Sequence, residues 1–402
     1  MNLPPVRAYS TRATFLPIIF ATLCCAYASE AAAAACEDME RLARPGTVVK
    51  SSRPILAGAF TPPTLPAGPA AAVYAALPAF CRVTATLMPS RDSEIQVEVW
   101  LPISNWNGKL QAVGNGGMAG VIPYAARAAA LAGGYATAGT DTGHVGNNAV
   151  FVPGHPEKLV DFAYRAIHEM TVTSKAIIGA HYGAAPTFSY FNGCSQGGRQ
   201  AITSAQRYPQ DFDGIVAGAS AWNSMRMHGA RLAVNRVMNR TADSAIPASK
   251  YPMIHNAVLR ACDELDGVKD GVLENPTQCT FDFKALECKA ADSAACLTPS
   301  QVESARAMIS PVKHPSTGAI LFEGHLWYGA ELGWGTIGGS EPLRNAVTAL
   351  ANIAFDPSKW DFHDFNIGTD IEVVADVAWL GRSPSHTAEQ HHLLQQRTQD
   401  RR

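Results

Sequence analysis

Apolar and polar residues alternate along the first half of the chain, and the period changes from segment to segment. Ile95, Val97, Val99 and Leu101 alternate with Gln96, Glu98 and Trp100, which predicts a half-buried strand. Leu110 to Val113 predicts a second short strand, ending in Gly114-Asn115-Gly116-Gly117. Tyr124 to Leu131 predicts an alanine-rich helix closed by Gly133-Gly134. Tyr135 to Gly139 is the next strand, and Asp161 to His181 carries helical periodicity. Thr187 to Phe191 predicts a strand, Arg199 to Tyr208 a helix stopped by Pro209, and Gly214 to Ala217 another strand. Residues 50 to 70, rich in Pro, Ala and Thr, predict an extended surface segment. From 223 to about 365 the pattern changes to polar helices without alternating strands.

Strands alternating with helices imply a mostly parallel sheet with right-handed crossovers, the α/β-hydrolase pattern. Within it, Phe191 to Arg199 reads Phe-Asn-Gly-Cys-Ser-Gln-Gly-Gly-Arg and contains Gly193-x-Ser195-x-Gly197. Placed between a strand and a helix, that spacing predicts a nucleophile elbow with Ser195 at its apex. The bland alternative is a βα turn in which Ser195 caps the helix. An ester-cleaving serine needs donors for the developing oxyanion. The amide of Gln196, at the helix N-terminus, is one candidate, and Gly116 or Gly117 supplies the second unless that loop is a plain turn. His144, Arg165 and His168 are best read as satisfied structural groups.

A length of 402 residues permits one large domain or two, and 47% hydrophobic with 16% charged residues excludes a disordered chain. The net charge of -2 offers no basic stripe for nucleic acid. Arg7 and Arg12 precede an apolar run from Phe15 to Ala28, with alanine-rich cleavage options up to Ala35. Residues 1–35 therefore predict a signal peptide too short to span a bilayer, hence a secreted or periplasmic protein with no membrane contact after cleavage. Export suits nine cysteines. Cys24 and Cys25 would leave with the signal, and the remaining seven include one thiol without a partner in the chain. Spacing alone does not fix the pairing.

Gly-Cys-Ser-x-Gly-Gly-Arg at Gly193 to Arg199 resembles the tannase/feruloyl esterase family, and the resemblance spans roughly residues 36 to 370. It implies a hydrolase core over 36–222, a lid domain over 223–370, and small esters of aromatic acids such as ferulate or gallate as substrates. It also implies the disulfides Cys36–Cys81, Cys262–Cys279 and Cys288–Cys296. That leaves Cys194, which in the family bonds a cysteine beside the catalytic histidine. Cys262 to Val272 holds three aspartates and two glycines, hard oxygen donors for a cation. It is not an EF-hand, because position twelve from Asp266 is Thr277. By resemblance it is a structural calcium loop whose ligands are Asp263, Asp266, Asp270 and the carbonyls of Val268 and Val272.

The resemblance fades after Asp370. The family's catalytic Asp follows the lid and its catalytic His sits beside a cysteine, yet no cysteine follows Cys296 here. Two further βα units would need on the order of sixty residues. Residues 371–402 read as a disordered or aberrant tail, in which His391 and His392 are poorly placed to act as a base. The expectation is a truncated or frame-shifted esterase. The alternative is a non-catalytic, calcium-stabilised remnant that binds ligands without turnover.

Overall fold

The computed structural model describes residues 34–63, 69–221, 223–324 and 326–376. The signal segment up to residue 33, together with His391 and His392, lies outside them. Seven strands form one sheet: β1 (Thr47–Ile55), β2 (Phe80–Leu87), β3 (Ile95–Pro102), β4 (Lys109–Val113), β5 (Ala136–Thr140), β6 (Phe188–Cys194) and β7 (Gly214–Gly218). Their spatial order is β1-β2-β3-β5-β4-β6-β7. β5, β4, β6 and β7 pair in parallel, whereas β1–β2, β2–β3 and β3–β5 are antiparallel. Five of the seven strands thus run the same way, and the sheet is mostly parallel, of the α/β-hydrolase type.

Helix α1 (Pro69–Ala75) packs on α2 (Tyr124–Ala132), which in turn lies against β3, β4 and β5. α3 (Pro156–Val160) and α4 (Ala166–Tyr182) are joined by a π-turn at Asp161–Arg165 into one helical run, so the helix predicted from Asp161 begins five residues earlier. α5 (Gln196–Arg207) likewise starts three residues before the predicted Arg199. Apolar residues of β2, β3, β4, β5 and α4 close over one another in the main core.

Two strands were not predicted. β1 carries Lys50, Ser51, Ser52 and Arg53 and has a bulge between Val49 and Ser51, so it lacks an apolar stripe. As the sheet edge it tolerates Pro54, whose missing N–H breaks no central ladder. β2 does carry a period-two signal, Cys81, Val83, Ala85 and Leu87 alternating with Arg82, Thr84 and Thr86, which the pattern reading passed over. The prediction that β3 is half-buried is also corrected. Glu98 and Trp100 are buried as fully as the apolar row. Glu98 accepts from Arg82, Arg127, Tyr124 and Trp100, and Trp100 packs among Phe60, Phe80 and Tyr124.

Beyond the sheet come α6 (Ser224–Met238), α7 (Tyr251–Cys262), α8 (Pro299–Ile309), the hairpin β8 (Val312–Lys313) and β9 (Ile320–Phe322), α9 (Gly335–Gly338), α10 (Arg344–Ala349) and α11 (Ile367–Asp376). α8 opens with a full capping box between Thr298 and Gln301. Val234, Ile254, Val258, Phe283 and Trp334 centre a core of their own. A second cluster ties this layer to the sheet domain. In it Met118, Leu159 and Phe162 meet Met225, Leu350, Ile353, Phe365 and Val374. The tail expected from residue 371 departs from the structure there, because α11 runs through that boundary and buries Ile371 and Val374.

Candidate active site

β6 delivers the chain to Ser195, whose φ of 59° and ψ of -116° lie where few non-glycine residues sit. The turn persists because its backbone is held from three sides. Ser195 N–H donates to Gly218 O at 3.0 Å, Ala221 N–H donates to Ser195 O at 3.1 Å, and Gly197 N–H donates to Asn115 O at 2.7 Å. Close approach of α5 to β6 demands glycine at 193, where a Cβ would lie 2.4 Å from the Gly197 carbonyl oxygen. The serine and Cys194 are both exposed.

The early glycine loop is locked onto α5. Asn115 N–H donates to Gln200 Oε1, and the Gln200 side-chain amide donates back to Asn115 Oδ1, both at 3.0 Å. The Asn115 side-chain amide in turn serves the carbonyls of Ala119, Val121 and Thr140. Gly117 holds φ 57°, and a Cβ there would strike Asn147 Oδ1 at 2.1 Å. A cavity of about 120 Å³ is lined by Ser195, Gln196 and Gly117 together with residues of α6 and α10. Of the two loop glycines considered, Gly117 lines this cavity and Gly116 is not among its lining residues; the Gly116 carbonyl accepts the Ala119 amide. The Gln196 amide opens α5, so no carbonyl within the helix is available to it.

Arg199, on the same cavity wall, is fully enclosed. It donates to Ala163 O at 2.9 Å, Phe162 O at 3.0 Å and Gln196 Oε1 at 3.1 Å, and sits over the Phe162 ring. Burial lowers its pKa to about 10, which still leaves a cation at neutral pH. The π-turn at Asp161–Arg165 carries two of these acceptors. The imidazole lining the cavity is His228 on α6. Ser195 makes no hydrogen bond to an imidazole among the described residues.

His144 is buried, stacks on Phe151 at 3.8 Å and contacts Met118 O at 2.6 Å through Nε2; burial lowers its pKa to about 4. Arg165 is spent on Asp161, Glu157 and Ser93, and His168 on Asp211 and the Tyr208 ring. The disulfides are Cys36–Cys81, Cys262–Cys279 and Cys288–Cys296, and Cys194 is free.

In the acidic loop, Asp263 accepts the Gly271 amide, Asp266 those of Val268 and Glu274, and Asp270 that of Val272. The Glu274 and Val268 amides hold the Asp266 carboxyl below its ordinary range. All-oxygen donors with a charged carboxylate are chemically suited to a hard cation. Among the described residues the tight grouping of ligand-type side chains is instead Cys288, Asp292 and Cys296, and its two cysteines are bonded to each other.

Pattern reading missed His228, Arg231, Ser220 and Asn345, all on the cavity wall. The only available signal was weak: His228 and Arg231 stand three apart, on one face of α6.

The family model described as tannase and feruloyl esterase matches residues 81–358, more than half the chain. The chain belongs to this family. A member from Xanthomonas campestris pv. campestris, an uncharacterized esterase, is 37% identical over 368 residues, covering 88% of this chain and 62% of that one. A probable feruloyl esterase B-1 of Aspergillus oryzae is 36% identical over 289 residues, covering 70% and 53%. The chain thus spans between half and two thirds of the length of these curated relatives. The crystal structure of feruloyl esterase B from Aspergillus oryzae superposes with a TM-score of 0.80 at 30% identity, covering 90% of this chain and 72% of that one. Tannin acyl hydrolase from Aspergillus niger, at 22% identity and a TM-score of 0.64, shares the fold.

Proposed function

We propose that this member of the tannase and feruloyl esterase family is an exported serine carboxylic-ester hydrolase acting on small esters of aromatic acids. The observation that carries the reading is Ser195 at φ 59° on a strand–helix elbow, facing a cavity with Gly117 and Gln196. Ser195 Oγ attacks the ester carbonyl as its proton passes to water, the oxygen that gains charge accepts from the amides of Gln196 and Gly117, and collapse expels the alcohol and leaves an acyl-serine that water then hydrolyses. Met118, Phe162, Met225 and Ile353 supply apolar wall for the acyl group. With no imidazole bonded to Ser195 among the described residues, turnover is expected far below that of a serine with its base, leaving what the oxyanion amides and binding contribute. Three disulfides support an oxidising destination, outside the cell or in the periplasm. No helix among the described residues is long and apolar enough to cross a membrane.

The acidic loop is proposed as a structural calcium site held by Asp263, Asp266, Asp270 and the carbonyls of Val268 and Val272. Calcium would order the loop that Cys262–Cys279 closes and take no part in bond cleavage. The three carboxylates, each fixed on one loop by main-chain amides, support this reading. Hydrolysis of methyl ferulate by the full chain tests the catalytic proposal. The expected result is slow turnover abolished in Ser195→Ala; equal rates in both proteins would end it.

A further inference from the structure

The polar atoms around Ser195 are out of balance. The buried side-chain atoms on the cavity residues that have no hydrogen-bond partner among the described residues include Gln196 Nε2, Ser220 Oγ, Arg231 Nε and Asn345 Oδ1. Three of them can donate, and only the asparagine oxygen is restricted to accepting. Among the described residues no aspartate or glutamate lines the cavity. The enclosed guanidinium of Arg199 already has three neutral acceptors. Arg231 has neither a hydrogen bond nor an ion pair among the described residues, and burial lowers its pKa with no carboxylate opposing the shift. A guanidinium partly withdrawn from water, with its Nε enclosed and no ion pair among the described residues, is better accommodated when an anion faces it. Unsatisfied groups of this kind gathered on one wall mark the place of a missing partner.

We propose that the cavity selects esters that also carry a free carboxylate, with Arg231 binding that carboxylate and Ser220 donating beside it. The inference rests on the hydrolase reading of Ser195 and names the substrate class of that site. A planar carboxylate matches the guanidinium fork with two parallel hydrogen bonds, which a neutral methyl ester cannot accept with comparable strength. Arg231 and His228, three residues apart on α6, line the same cavity as the elbow's Gln196 and the loop's Gly117. The scissile carbonyl then lies toward Gly117 and Gln196, and the anionic end toward α6.

The test is equilibrium titration of the full chain carrying Ser195→Ala, which removes turnover, with monomethyl terephthalate and with the neutral dimethyl ester. The charged ester is expected to bind about tenfold or more tightly than the neutral one, the scale of a charge-assisted bidentate contact. Adding Arg231→Gln should shrink that advantage to roughly threefold or less, and Arg231→Lys should keep part of it. In the Ser195→Ala protein itself the advantage should fall as salt is raised. Equal binding of the two esters, no binding of the charged one, or an unchanged advantage in Arg231→Gln overturns the proposal. If the glutamine variant fails to fold, the lysine variant and the salt series decide. The hydrolase reading fails separately: wild-type Ser195 would refuse a neutral fluorophosphonate while the charged ester still bound.

Discussion

Gly193→Ala should separate the strand and helix that make the elbow. The new Cβ would stand 2.4 Å from Gly197 O, 2.5 Å from Gly197 C and 2.8 Å from Gly197 Cα. All three are main-chain atoms, so no rotamer change relieves the overlap. Ordinary contact begins near 3.4 Å, and the difference requires α5 to retreat by about 1 Å. Overpacking of this kind costs about 3 kcal/mol. For a domain of this size that corresponds to a drop of roughly 6 °C in the thermal midpoint. The retreat also moves the Gln196 amide away from the developing oxyanion, and a displacement of about 1 Å can cost on the order of a hundredfold in reaction rate. Gly179→Ala is the matched control, because nothing lies within 4 Å of a Cβ there and the residue is inside α4. It should stabilise by about 0.5–1 kcal/mol. Thermal unfolding of both variants, with fluorophosphonate labelling rates alongside, checks the pair. A Gly193→Ala midpoint within a degree of wild type would refute the claim that α5 and β6 are in backbone contact.

Burial opposes the charge on Glu98, yet the guanidinium groups of Arg127 and Arg82 and the Tyr124 hydroxyl bring its pKa down to about 2. A depressed carboxylate contributes stability above its ordinary range and loses it as pH falls toward 2, here about 3 kcal/mol between pH 5 and 2. Urea midpoints over that window should show this slope in wild type and lose it in Glu98→Gln, which at pH 7 should cost about 3–5 kcal/mol by stranding buried Arg127; parallel slopes would contradict it. Calcium should raise the thermal midpoint, and Asp266→Ala with Asp270→Ala should remove the effect; an equal shift in the double variant would reduce the loop to an acidic turn. Alkylation of the mature chain, freed of residues 1–35, under denaturing, non-reducing conditions should label one cysteine, Cys194, by peptide mapping; label on Cys81 or Cys279 would overturn the disulfide scheme.

The parallel half of the sheet was legible because β4 to β7 are short runs punctuated by Gly and Pro, with helical periods between them. β1 was not, since an edge strand rich in Lys, Ser and Arg carries no period-two signal and pairing decides its conformation; β2 was passed over although Cys81, Val83, Ala85 and Leu87 alternate with Arg82, Thr84 and Thr86. β3 was found, but the burial of Glu98 was not, because its partners Arg82, Arg127 and Tyr124 come from other elements. The elbow could be read locally: strained φ, flanking glycines and helix start all fall within a few residues of Ser195. His228, Arg231 and Asn345 could not, because they reach the cavity only through the packing of α6 and α10 against Met118 and Phe162.

The central claim is that Ser195 is an accessible nucleophile beside working oxyanion donors. Incubating the full chain with a neutral fluorophosphonate, followed by intact-mass and peptide mass spectrometry, tests it most directly. The structure predicts a single adduct, on Ser195, that is absent in Ser195→Ala and forms at least tenfold more slowly in Gly193→Ala. No adduct on Ser195, or equal modification of several surface serines, would contradict it.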